Sequence, residues 1–291
     1  YGDWSSDVCS SDLYRMFMKV FANFGIKFHF ANLHDVSNIN KYLNEKTKLL
    51  WIESPTNPMM KIIDIAACSE VAKKNNLIHV VDNTFASPYL QNPLKLGADI
   101  VMHSVTKYLG GHSDVVMGAL CMNDDNIYER LAFINNSCGA VPGPMDSFLV
   151  LRGIKTLPLR MERHCSNGKI VAEYLKSNPK VATVNWPGFP NHLGHAVAKK
   201  QMKDFGGMIS FTLKNSSQEE AFRMASSLKI ISLAESLGGV ESLISHPASM
   251  THASVPKEER DRLGITDGLL RISTGIEDAE DLVEDLKQAI G

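Results

Sequence analysis

Short apolar runs alternate with stretches of helical spacing along most of the chain, the pattern of an α/β fold built on a largely parallel sheet. Leu49-Leu50-Trp51-Ile52-Glu53 predicts a buried strand. It ends in Ser54-Pro55-Thr56-Asn57-Pro58, whose two prolines forbid regular structure, and Asp64 then caps a helix predicted to run to about Asn76. Ile78 to Val81 predicts a second strand, ending on Asp82-Asn83-Thr84. Ala98 to His103 predicts a third, ending on Ser104-Val105-Thr106-Lys107. Ligands of open α/β sheets lie beyond the carboxyl ends of the strands, so these three polar clusters are expected to converge on one crevice. After the apolar run Val115 to Cys121 the pattern is helical to about Ser177, and strands at 181–184, 207–213 and 269–273 then mix with a helix over 279–289. The organisation expected is a large α/β domain over 14–157 and a smaller α/β domain over 158–291. Residues 1–13 carry acidic and serine residues with two isolated aromatics and no period. They are expected as loop, tail or foreign sequence at a truncated N-terminus.

Composition narrows the partners. With 291 residues, 44% hydrophobic and 21% charged, the chain can bury a large core, and a net charge of −2 with scattered basic residues gives no field for nucleic acid or an anionic membrane. A small-molecule substrate is expected. Cys9, Cys68, Cys121, Cys138 and Cys165 are odd in number and form no CxxC pair, which argues against a disulfide framework and a zinc cluster and for a reducing compartment, the cytoplasm. No apolar run approaches about 18 residues and no basic segment precedes an apolar stretch at the start, so neither a membrane span nor a signal peptide is expected. His103, His112, His246 and His252 match no common ligand spacing, and no metal is expected.

The strand-end residues match the needs of one organic cofactor. Pyridoxal 5′-phosphate (PLP) requires a lysine for its imine, an acid to keep its pyridine nitrogen protonated, donors for its phosphate and a polar partner for its phenolic oxygen. Asp82 supplies the acid, where a neutral amide would let the nitrogen lose its proton. Lys107 supplies the amine, and Ser104 and Thr106 flank it as small hydroxyls able to meet a phosphate. Taken singly, Asp82 reads as a turn residue and Lys107 as a solvated loop lysine; Gly110-Gly111 fits a tight turn, since neither GxxxxGK[ST] nor GxGxxG is present.

Seven ordered motifs then carry a resemblance: WIESPTNP (51–58), VVDNTF (80–85), SVTKYLGGHSDVVMGAL (104–120), RGIKTLPLRM (152–161), LAESLGG (233–239), HPASMTH (246–252) and LLRISTGIED (269–278). From Tyr14 onward the chain closely resembles the Cys/Met-metabolism PLP enzymes of trans-sulfuration. The resemblance implies a fold-type I PLP enzyme of the aspartate-aminotransferase-like kind, with a mostly parallel sheet and helices on both faces. It also implies a homotetramer built from dimers that share active-site residues. Lys107 matches the Schiff-base lysine, Asp82 the pyridinium partner, Asn57 the residue near the phenolic oxygen, Thr84 and Glu53 its support, and Ser104 and Thr106 the phosphate contacts. Arg271 matches the arginine that grips the substrate α-carboxylate, with Ser236 and Thr251 lining the same pocket. The family's Tyr-x-Arg pair and Gly-Met turn, which hold the phosphate, have no counterpart here. Tyr1-Gly2 and Tyr14-Arg15 look like two halves of its Tyr-Gly-Gly-Thr-x-Arg stretch, interrupted by Asp3 to Leu13. Tyr1 is thereby a candidate ring-stacking catalytic residue and Arg15 a candidate substrate contact.

LAESLGG resembles the γ-lyases and γ-synthases of cystathionine. Glu235 within it is placed to receive the distal ammonium of that substrate. The expected activity is cleavage of L-cystathionine at the γ-carbon to cysteine, 2-oxobutanoate and ammonia. The alternatives are γ-replacement on an O-acylhomoserine by cysteine, or a truncated non-catalytic homologue.

Overall fold

A computed structural model describes residues 3–6, 11–214, 217–253 and 255–291, with residues 3–6, 11, 12 and 259 as backbone only. The first sheet has six strands, β1 (Asp3–Ser6), β2 (Lys27–Phe30), β3 (Thr47–Glu53), β4 (Ile78–Asp82), β5 (Ile100–Ser104) and β6 (Gly118–Met122), ordered β2-β1-β3-β4-β5-β6. All pairings are parallel except that of β6, which runs antiparallel to β5 at the edge. The second sheet orders β7 (Val181–Asn185), β8 (Met208–Leu213), β9 (Ser232–Leu233), β10 (Leu243–Ser245) and β11 (Leu269–Ser273) as β7-β8-β11-β10-β9, antiparallel apart from β9 on β10.

The helices are α1 (Ser11–Lys19), α2 (Ile65–Lys74), α3 (Ser87–Leu90), α4 (Asp125–Cys138), α5 (Pro144–Ile154), α6 (Leu157–Ser177), α7 (His195–Gln201), α8 (Gln218–Ser227), α9 (Lys257–Leu263) and α10 (Ala279–Ile290). The α2 start follows from its cap: the Asp64 side chain accepts the Ala67 N–H at 3.0 Å, as the sequence predicts. Cys68 and Ala72 of that helix bury against Leu50, Ile52, Val81 and Val101, so β3 to β5 are apolar almost throughout, as central parallel strands covered by helices must be. A second cluster joins Phe85, Leu90 and Val105 at the sheet's carboxyl end to Leu157, Met161 and Cys165 of α6. A third fills the other sheet, where α6, α8 and α10 cover Ile209, Phe211, Leu270 and Ile272.

Two features differ from the sequence reading. The segment expected as loop or tail contributes β1, paired in parallel on both sides, and α1 already begins at Ser11. The short strands β2, β9 and β10 were not predicted; with four, two and three residues they are too brief to show a period. α6 begins at Leu157, where the sequence reading divides the chain.

Candidate active site

The register of the first sheet sets Glu53 opposite Asp82 and Asp82 opposite Met102. Strand ends that are level in this way bring their following loops to one edge, and there they border a cleft of about 820 Å³. Glu53, Asn57, Asp82, Thr84, Ser104 and Lys107 line it from the first sheet; Glu235, Ser236, Thr251 and Arg271 line it from the second. Arg15, on α1, also lines the cleft, while Tyr1 lies outside the described residues.

Asp82 is 5% exposed. Its Oδ1 accepts the Thr84 N–H at 3.0 Å and the Thr84 hydroxyl at 2.6 Å, and Thr84 Oγ1 in turn accepts the Ser104 N–H at 2.9 Å. This relay fixes the carboxyl plane from two neighbouring strands. Oδ2 makes no hydrogen bond among the described residues. Burial pushes the carboxyl up to about 6, and the two Thr84 bonds offset that only in part. Glu53, on the adjacent strand end, is buried as well.

Lys107 follows β5 by a tight turn in which its N–H donates to Ser104 O at 3.1 Å, and its Nζ donates to Ser236 Oγ at 3.3 Å. Thr106 is set apart from this group. Its hydroxyl donates to Met117 O at 3.3 Å and accepts the Met117 N–H at 3.0 Å, tying the turn to the approach of β6, and Thr106 is not among the residues bordering the cleft.

Arg271 lies in the middle of β11 and is 1% exposed. Nη1 donates to Asn57 Oδ1 at 2.7 Å, and Nη2 donates to the carbonyls of Glu235 at 3.0 Å and Ser236 at 3.3 Å. Among the described residues it has no carboxylate in ion-pair contact, and its Nε has no acceptor. Loss of water lowers its pKa to about 10, against the pull of Tyr108, Glu53 and Glu235. A guanidinium offers five N–H donors, so this buried cation keeps donors for an anion entering the cleft. Thr251 Oγ1 shares a 2.9 Å hydrogen bond with His252 Nδ1.

Sequence reasoning missed the apolar lining: Leu13, Phe85, Met102, Leu237, Met250 and Ala253. Met102 was within reach, since the two-residue period of a strand puts it on the face of Ser104. Met250 and Ala253 lie in a stretch without a regular period, which offers no comparable signal.

The sequence profile of the Cys/Met metabolism PLP-dependent enzymes matches residues 5–291. Cystathionine γ-lyase of Dictyostelium discoideum is 53% identical over 277 residues, which cover 95% of this chain and 71% of that protein. Cystathionine β-lyase of Coxiella burnetii is 49% identical, over 97% of this chain and 74% of that one. The crystal structure of cystathionine γ-synthase from Xanthomonas oryzae pv. oryzae in complex with cystathionine superimposes with a TM-score of 0.96 at 43% identity, covering 99% of this chain and 75% of the other. Likeness on this scale extends through both sheets and every strand end that borders the cleft, and by it the chain belongs to the Cys/Met metabolism PLP-dependent enzymes, as a PLP-dependent enzyme of carbon–sulfur bond chemistry.

Proposed function

We propose that this chain cleaves the γ-carbon–sulfur bond of L-cystathionine with water, giving cysteine, 2-oxobutanoate and ammonia. One observation carries the reading. A single cleft gathers a buried carboxylate with one oxygen uncommitted among the described residues, a lysine amine and a buried arginine that among those residues has no carboxylate partner, with Glu235 also lining the cleft.

The residues present fit PLP. Asp82 Oδ2 is free to accept a ring N–H, and a cation there would relieve the cost of burying the carboxylate. Ser104 Oγ borders the cleft and makes no hydrogen bond among the described residues, which leaves it for the phosphate. Lys107 is the amine that would hold the cofactor covalently, Asn57 the neighbour of its phenolic oxygen, with Thr84 and Glu53 bracing Asp82. When bound, PLP withdraws electrons from the substrate α-carbon and so acidifies its proton.

Arg271 binds the α-carboxylate and thereby orients the amino acid. Asp82 holds the proton on the ring nitrogen. Lys107 Nζ takes the proton from the α-carbon and returns one later, with Ser236 Oγ holding the amine in line. Glu235 receives the distal ammonium of cystathionine, a contact that shorter substrates cannot make. Ser236 and Thr251 shape the pocket, and Arg15 meets the substrate from α1.

Cystathionine is the molecule named in the γ-lyase and β-lyase relatives and the one bound in the γ-synthase structure, which supports it as the substrate class. The γ-synthase likeness also favours a second reading, γ-replacement on an O-acylhomoserine by cysteine. Products separate the outcomes: 2-oxobutanoate from cystathionine supports γ-cleavage, pyruvate means β-cleavage, cystathionine from cysteine and O-acylhomoserine means γ-replacement, and no product under any condition means a non-catalytic homologue.

We further propose a homotetramer in the cytoplasm. Helix α4 buries none of its residues, and Phe133, Met145, Phe148, Leu151 and Leu159 are all more than half exposed along α4, α5 and the start of α6. An apolar face of this kind is one that subunits cover. Cys121, Cys138 and Cys165 are free thiols, in keeping with a reducing compartment, and among the described residues no helix is long and apolar enough to cross a membrane.

A further inference from the structure

The motif RGIKTLPLRM contributes no residue to the lining of the cleft, yet it contains Arg160, which is 4% exposed and reaches the turn that carries Lys107. Arg160 Nη1 donates to Tyr108 O at 2.7 Å, and Nη2 donates to Leu109 O at 3.4 Å and to Gly153 O at 2.9 Å. Nε donates to Thr156 Oγ1 at 3.0 Å, one helical turn back, which sets the direction of the guanidinium.

The turn is closed on every side. The carbonyl of Lys107 accepts Gly111 N, that of Gly110 is in hydrogen-bond contact with His112 Nδ1, and that of Gly111 accepts Val240 N. The two carbonyls that remain, Tyr108 and Leu109, are those that Arg160 takes. Among the described residues the guanidinium has no carboxylate partner, so its charge is spent on backbone carbonyls. The fit leaves no slack: a Cβ at Gly111 would lie 2.2 Å from Arg160 Nη1, one at Gly153 would lie 2.3 Å from Gly110 O, and one at Gly238 would lie 2.8 Å from Tyr108 N. A lysine ammonium, a point charge without the guanidinium fork, cannot reproduce these donations to three separate carbonyls.

We infer that Arg160 is a positioning residue, which fixes the backbone after Lys107 so that its amine is held in the cleft at the distance and angle covalent capture of the cofactor needs. The inference rests on the assignment of Lys107 as the attachment lysine. Without the clamp the amine samples a wider range of positions, and a displacement of an ångström is costly for bond formation.

The test uses the full chain, incubated with PLP and treated with borohydride. Nζ joins the aldehyde carbon with loss of water; hydride then adds to that carbon and a proton to the nitrogen, leaving a stable amine bond. Peptide mass spectrometry reads the cofactor trapped on Lys107, and the result is divided by total bound cofactor. Arg160→Lys and Gly111→Ala attack the same contact from opposite sides. Each is expected to lower the ratio roughly tenfold in the folded, monodisperse fraction, while Arg163→Lys, an exposed neighbour on α6, leaves it unchanged. An unchanged ratio in a folded Arg160→Lys or Gly111→Ala overturns the inference, because a purely structural arginine would lower bound and trapped cofactor in parallel. Failure of both variants to fold also overturns it, since the contact then serves the whole fold. If the unaltered protein traps cofactor elsewhere than on Lys107, the assignment of that lysine fails instead.

Discussion

Arg271 Nη1 and Asn57 Oδ1 stand 2.7 Å apart, joining β11 of the second sheet to the loop that follows β3 of the first. The guanidinium is thereby aimed before any substrate arrives, and the side chain proposed to stand near the cofactor's phenolic oxygen also steadies the group proposed to bind the α-carboxylate. Arg271→Lys is expected to raise KM roughly 10- to 100-fold with a smaller loss in kcat, because one ammonium cannot keep Asn57, two carbonyls and a carboxylate together. Asn57→Ala is expected to raise KM by less. Steady-state kinetics measures both, and an unchanged KM in Arg271→Lys would remove this arginine from substrate binding.

Asp82 couples the site to pH. Its carboxyl is raised by burial from 3.8 to about 6, so the folded, cofactor-free protein holds this proton more tightly than the unfolded chain and loses stability as pH rises through that window. Asp82→Asn keeps an acceptor for Thr84 and removes the buried charge. It is expected to stabilise the cofactor-free protein by roughly 3 kcal/mol at neutral pH and to change little below pH ~4. Urea unfolding at the two pH values checks this. The same variant is expected to weaken cofactor binding, since the partner for a ring cation is gone.

Glu235 borders the cleft as a side chain while its carbonyl holds Arg271. Glu235→Gln is expected to lower kcat/KM for cystathionine roughly tenfold and to spare homocysteine, which lacks the distal ammonium. Equal losses on both substrates would leave the carboxylate without a role in selection.

Asp285 is a structural counterpart far from the chemistry. Its carboxylate accepts the backbone N–H groups of Lys229 at 2.8 Å and of Ile230 and Ile231 at 2.9 Å, pinning α10 to the chain that enters β9. Burial pushes the carboxyl up, but these three donors and Gln288 outweigh it and hold it below the usual carboxylate range. Stability from this group is therefore present at neutral pH and lost as the solution is acidified. Asp285→Ala is expected to cost about 2–3 kcal/mol by denaturant unfolding, with the deficit shrinking toward low pH.

The sequence by itself determined the framework of the site. An apolar run that ends on a polar cluster is a local signal, and three of them named β3, β4 and β5 with Asp82 and Lys107 at their ends; the Asp64 cap located α2 in the same way. Other relations are decided only in three dimensions, because they depend on which distant segments pack together. Asn57 meets Arg271, Ser236 meets the Lys107 amine, and Arg160 closes on the carbonyls beyond Lys107, each across fifty or more residues with no period to announce it. The use of the Thr106 hydroxyl for Met117 belongs to the same class. Side-chain type and local spacing say what a residue can do; burial and the neighbours brought by the fold decide which of those capacities is spent on the protein's own backbone and which is left for the cleft.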